Sequence, residues 1–194
     1  MKLNKLLKKI KKTTKSKKGV SSIELVIGTL ISIVVFAGYL DLLVISNRMQ
    51  AMSTSMTYLT RTISNQGCLA NNPESTCRIN GAGGYNRDYI KNKKFITSAQ
   101  IYKQIEDIMN TENIPKADWR VTVNGVLLTQ NTTTKLFDFG EEIEIDIRIK
   151  ARWTNVSNFL LIKLPDTEFR SNQKTLSLYK YRTHGSDSGF DYGN

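Results

Sequence analysis

The 194-residue sequence has one histidine, His184, two cysteines, Cys68 and Cys77, and three prolines. With a single histidine near the C-terminus and no Ser-His-Asp set, nucleophilic catalysis has no visible base. Two thiols that are not closely spaced, with His184 far away, argue against zinc, and His184 reads as a surface residue. Gly81, Gly83 and Gly84 lie together, but they lack the Gly-Lys-Ser/Thr ending and the preceding apolar strand of a phosphate-binding loop. No cofactor is implied. Acid is missing from the N-terminus: no Asp or Glu precedes Glu24. Lys2, Lys5, Lys8, Lys9, Lys11, Lys12, Lys15, Lys17 and Lys18 supply nine of the formal net charge of +11. The remainder is nearly balanced, so the basic excess belongs to one end of the chain and does not point to nucleic acid as a partner.

That basic end, residues 1–19, meets an apolar stretch, Val20 to Ile45, interrupted by charge only at Glu24 and Asp41. A span needs roughly 20 mostly apolar residues. Leu25 to Leu40 supplies sixteen without charge, and Leu42 to Ile45 extend them. The stretch therefore predicts one membrane segment, with the lysines on the cytoplasmic side, Asp41 near the outer interface and the rest of the chain outside. Beyond it, Ile45, Met49, Met52, Met56, Leu59 and Ile63 recur at steps of four and three, a helical seam. No proline falls between Val20 and Gln66, and Gly67 follows as a stop, so one long helix over 20–66 is predicted.

The remaining length suits one small head. Residues 67–96 read as a loop. If that region is exported, Cys68 and Cys77 can pair around the polar stretch Leu69 to Thr76. Within the head, 97–184, Thr97 or Ser98 caps a short helix whose Ile101, Ile105, Ile108 and Met109 share a face, ending before Pro115. Trp119 to Val123 and Val126 to Thr129, joined by Asn124-Gly125, predict a hairpin. From Ile143 to Trp153 apolar and charged residues alternate, so Ile143, Ile145, Ile147, Ile149 and Ala151 face a core. Glu144, Asp146, Arg148, Lys150 and Arg152 face water. Phe159 to Leu164 and Leu176 to Tyr181 read as two further strands around a turn at Pro165-Asp166, and 185–194 as a disordered tail. The expected fold class is α+β: a long N-terminal transmembrane helix continuing into a head in which a helix packs on an antiparallel sheet.

The run Lys17-Lys18-Gly19-Val20-Ser21-Ser22-Ile23-Glu24-Leu25, where the basic leader meets the apolar helix, resembles the type IV pilin superfamily. The single small head looks most like its pseudopilin or TadE-type members and the pilin-like proteins of Gram-positive conjugative elements. Ser21-Ser22 stands where Phe-Thr is commoner in that family. The resemblance covers residues 1 to about 66. It implies cleavage after Gly19 by a prepilin peptidase, N-methylation of the new terminus at Val20, and an assembly role for Glu24, which would meet the Val20 amine of a neighbouring subunit. A carboxylate within a membrane helix usually has such a partner. Gly28 and Ser32, four apart, offer small surfaces for helix packing. The implied partners are the prepilin peptidase, other pilin-like subunits, their assembly platform and the membrane. The implied place is the cell membrane or a surface filament, with the head extracellular.

Two other classes compete. In a secreted protein, signal peptidase would cut after Val35-Phe36-Ala37 and leave Gly38 as the first residue. Against that stand Glu24 inside the supposed apolar core and the continuation of the apolar run past Ala37. In a single-pass signal-anchor protein Glu24 would be incidental. A membrane-anchored enzyme would need catalytic groups, but Glu142, Glu144 and Asp146 alternate along a solvated strand face, and Glu141-Glu142 reads as a charged strand entrance. Asn131-Thr132-Thr133 and Asn155-Val156-Ser157 match the glycosylation acceptor pattern by a short signature only.

Overall fold

The computed structural model describes residues 17–73 and 94–179, with side chains from Ser21 onward. Cys77, the Gly81 to Gly84 segment, His184 and the expected tail at 185–194 lie outside the described residues. The chain divides into two compact units, Met1–Val44 with Arg152–Asp166, and Ile45–Ala151 with Thr167–Asn194. The fold is α+β.

Helix α1, Lys17–Gln66, runs unbroken for 50 residues, about 75 Å at 1.5 Å per residue. It starts three residues before the expected Val20. Gly67, at φ +71°, ends it and returns its N–H to the Ile63 carbonyl at 2.8 Å. Only glycine enters this left-handed position at low cost.

In the second unit, α2 (Ser98–Thr111) starts at Thr97. The Thr97 side chain accepts from the Gln100 backbone while the Gln100 side chain accepts from the Thr97 N–H, a reciprocal cap. A four-stranded antiparallel sheet follows, with spatial order β2-β1-β3-β4. Its strands are β1 (Trp119–Val123), β2 (Val126–Leu127), β3 (Glu142–Ala151) and β4 (Thr167–Leu176). Asn124 and Gly125 turn the first hairpin at φ 48° and 77°, the pair of positive values that a two-residue turn needs to match strand twist. The second strand is shorter than predicted and stops at Leu127. Beyond Leu128, the Thr132 hydroxyl accepts from the Thr129 N–H and donates to the Leu127 carbonyl, replacing ladder bonds by a local turn.

One face of the sheet carries Val121, Val123, Ile143, Ile145, Ile147 and Ile149, all essentially inaccessible to solvent. Ala51, Met52, Met56, Leu59 and Ile63 of α1 and Ile101, Tyr102, Ile105 and Met109 of α2 join them in one core. Burying such side chains is worth about 1.5–3 kcal/mol each. Met49 departs from the predicted seam and is 45% exposed. Arg48 turns inward in its place, because the neighbouring groups are polar: its guanidinium bonds the Lys150 carbonyl and pairs with buried Asp118.

Two strand assignments are corrected. Thr154–Leu160 is a helix, α3, and 161–166 is irregular, so Phe159 to Leu164 is not a strand. Trp153 and Arg152 likewise lie past the end of β3. The last strand is Thr167–Leu176, not Leu176 to Tyr181: residues 177–179 are irregular and the rest of that stretch is outside the described residues. The sequence of β4 is mostly polar because it is an edge strand whose inward positions are half-buried, and only Phe169 reaches the core. Charged residues on an edge discourage pairing with another chain.

Candidate processing junction, membrane helix and disulfide segment

The backbone of Gly19 and Val20 lies in the first turn of α1. The first four N–H groups of any helix lack intrahelical acceptors, so this turn can open into an extended strand at low cost. Glu24 lies one turn further on and is exposed, and no described residue bonds to its carboxylate. At Gly28 an added Cβ would meet nothing within 4 Å. Ser32 donates its hydroxyl to the Gly28 carbonyl at 2.8 Å, and Thr29 does the same to Leu25. The helix thus satisfies its own small polar groups and leaves an open, unoccupied surface over Gly28. From Ser21 to Gln66 it is long and apolar enough to cross a membrane, and its apolar part is almost wholly exposed. Leu25, Val26, Ile31, Val35 and Phe36 are each more than half exposed.

Asp41, expected near the outer interface, is 1% exposed. Its carboxylate accepts from the Asn155 N–H at 3.0 Å, the Asn155 amide at 2.9 Å and the Val156 N–H at 2.9 Å. These are the donors that the start of α3 leaves free, so α1 supplies the cap that Trp153 does not. Asn155, which opens one of the acceptor patterns, has its side-chain amide committed to this contact. Sequence reasoning missed the pairing because 114 residues separate the partners. The signal available was a charged residue within an apolar helix, which calls for a partner.

Cys68 is fully buried and disulfide-bonded. The expected pairing with Cys77 falls on a residue outside the described ones. In sequence Cys68 stands beside a polar loop, but in space it packs with Ala70 against Phe95 and Leu136. The Gln66 side chain holds this segment: its amide donates to the Cys68 and Ile96 carbonyls and its oxygen accepts from the Ile96 N–H. Leu69 is bonded through both backbone groups to Thr134. Residues 67–70 are therefore fixed in the head without belonging to a sheet.

On the outer face of the sheet, each acid is engaged by a partner two residues off its direct cross-strand neighbour. Lys174 pairs with Glu142 at 2.6 Å, Asn172 donates to Glu144, Arg170 pairs with Asp146 at 2.6 Å, and Arg148 with Glu168 at 3.5 Å. Such diagonal neighbours are within reach of long side chains. Asp146, predicted to face water, is buried at 8% exposure because the side chains of Arg148 and Arg170 close over it. Burial raises its pKa, but hydrogen bonds from Arg170 and Arg148 and their charges outweigh it and hold the carboxyl below its ordinary value. Lys174 is raised by its hydrogen bond to Glu142 and by the charge of that carboxylate. Each of these carboxylates thus faces a cation or an amide.

Comparison with family models, with curated proteins and with solved structures finds no match for this chain.

Proposed function

We propose that the chain is a pilin-like structural subunit of the pseudopilin or TadE type, cut after Gly19 and assembled through Glu24 into, or alongside, a pilus, secretion or conjugation apparatus. The observation that carries this reading is the placement of Gly19 and Glu24 at the start of one unbroken 50-residue helix. The apolar first part of that helix is exposed, and its second part is built into the core of a small α+β head. An anchor of this form can present its apolar surface to lipid or to the same helix of other copies. An unpartnered carboxylate near its cytoplasmic end suits a bond made only on assembly, where it would neutralise the amine of a neighbour's Val20. The disulfide at Cys68 fits a head that resides in an oxidising compartment.

The test uses the native host with its peptidase. N-terminal sequencing of the mature chain should begin at Val20, and Gly19→Leu should retain the leader, because a bulky side chain obstructs the protease cleft. Glu24→Ala should be cut normally and inserted, since removing a charge eases insertion, yet be depleted from sheared or crosslinked assemblies. An uncut wild-type chain supports a plain signal anchor and refutes the proposal; a chain starting at Gly38 refutes it in favour of secretion. Normal assembly of Glu24→Ala overturns only the role given to Glu24.

A further inference from the structure

Leu160, Leu161 and Ile162 are consecutive and exposed, with Leu161 at 91%. A run of three apolar side chains facing water favours association or a non-aqueous surface. Leu161 also adopts the left-handed conformation at φ 54° where α3 ends, a position that glycine usually fills. A leucine kept in a strained backbone position with its side chain fully outward indicates a use for that side chain.

The first turn of the helix that ends in this run packs against α1 at the end of its apolar part. The Asn155 and Val156 N–H groups both reach Asp41, and Val156 Cγ2 lies 3.8 Å from the position of a Cβ on Gly38. Gly38 is one turn nearer the N-terminus of α1 than Asp41, so the first turn of α3 reaches from Asp41 toward the apolar stretch. Burial along α1 follows this course: Val34 and Gly38 are half-buried and Ala37 and Asp41 buried, whereas Val35, Phe36, Tyr39 and Leu42 are exposed. Val34, Ala37, Gly38 and Asp41 share one helix face.

We propose that residues 152–166 form a foot that inserts Leu160, Leu161 and Ile162 into the outer leaflet of the membrane that α1 crosses. Lys163 would then lie at the level of the lipid headgroups. The proposal rests on α1 spanning the bilayer and not on cleavage or assembly. The sixteen uncharged residues from Leu25 to Leu40 cover about 24 Å of a hydrocarbon core about 30 Å thick, which puts Asp41 within about one helical turn of its outer edge. The seven residues of α3 reach about 10 Å from Asp41, comparable with the depth of about 5–10 Å at which interfacial helices lie. An aspartate at that edge must have its charge satisfied by protein, and three donors do so. The pair Arg152–Asp166, at 3.7 Å, closes the base of the excursion.

The experiment reconstitutes the full chain in vesicles of phosphatidylcholine with phosphatidylglycerol and attaches a nitroxide to Leu161→Cys, to Val35→Cys in α1 and to Gln130→Cys in the head. The unsubstituted chain, whose Cys68 is oxidised, sets the labelling background. Relaxation by oxygen reports lipid, and relaxation by an aqueous nickel chelate reports water. The expected result is a Leu161 label that follows Val35, accessible to oxygen and shielded from nickel at least several-fold relative to Gln130. A Leu161 label in water with Val35 in lipid overturns the foot alone. Both labels in water overturn the membrane anchor and the foot with it. A Leu161 label shielded from both reagents overturns lipid as the occupant in favour of a second protein surface.

Discussion

Adding one methyl group at Gly67 tests how the long helix is tied to the head. Gly67 has φ +71°, and a Cβ there would come to 2.6 Å from Tyr179 Cδ1, 2.7 Å from Tyr179 Cβ and 2.9 Å from the Phe137 carbonyl oxygen. The last two atoms are a side-chain root and a backbone atom, and neither swings away. The Gly67 carbonyl also accepts from the Phe137 N–H at 2.7 Å, so retreat would stretch that bond. Gly67→Ala therefore combines a left-handed strain of about 1–2 kcal/mol with overpacking of about 1–3 kcal/mol. The entropy lost from the unfolded chain returns about 0.4–1 kcal/mol. The net expectation is a loss of about 1–5 kcal/mol. Gly125 supplies the control, since φ is +77° but nothing lies within 4 Å of its Cβ position; Gly125→Ala should cost about 1 kcal/mol or less. Denaturant unfolding of the detergent-solubilised chain, followed by Trp119 fluorescence in a Trp153→Phe background, measures both. Equal destabilisation of the two variants would refute the claim that contact with Phe137 and Tyr179 fixes the end of α1.

The inward register of β3 predicts that Ile147→Lys costs about 3 kcal/mol or more through an unpaired buried charge. Arg148→Lys, which loosens partly exposed pairs with Asp146 and Glu168, should cost at most about 1 kcal/mol, and similar unfolding midpoints for the two would show that the faces are misassigned. Because Asp146 is held below its ordinary pKa, its stabilisation is complete above the unfolded carboxyl value of about 3.9 and is lost as pH falls through the lower folded value. Asp146→Asn should be less stable than wild type at pH 7, and the gap should narrow below pH 4 in acid-dependent denaturation. A gap independent of pH would mean that the arginines do not stabilise the charge.

Much of this fold is legible because its signals are local. The β3 alternation states its own buried face, Asn124-Gly125 states the hairpin, and Thr97 with Gln100 states the start of α2. The failures share a physical origin. Met49 fits the seam by spacing, but whether a helix position is buried depends on what lies opposite, and opposite Arg48 there is a carbonyl and an aspartate. Asp146 sits on the wet face by periodicity, yet two long arginine side chains on neighbouring positions and strands remove it from solvent. The edge strand β4 has almost no hydrophobic pattern, because its hydrogen bonds come from β3 and its inward positions meet the rim of the core.

The 159–164 stretch was misread for a more general reason. A short apolar run has the same sequence signature whether it faces a protein core, a lipid phase or another chain, and a buried strand is the ordinary guess for a soluble head. Here α3 needs a cap, Asp41 needs a partner, and each meets the other's need by a contact across 114 residues that no local rule contains. That contact holds the start of α3 against the apolar helix, and Leu160, Leu161 and Ile162 at its end are exposed. The candidate functional residues divide in the same way: Gly19 and Glu24 are found by their place relative to a composition boundary, whereas Asp41 acquires its role only through the fold.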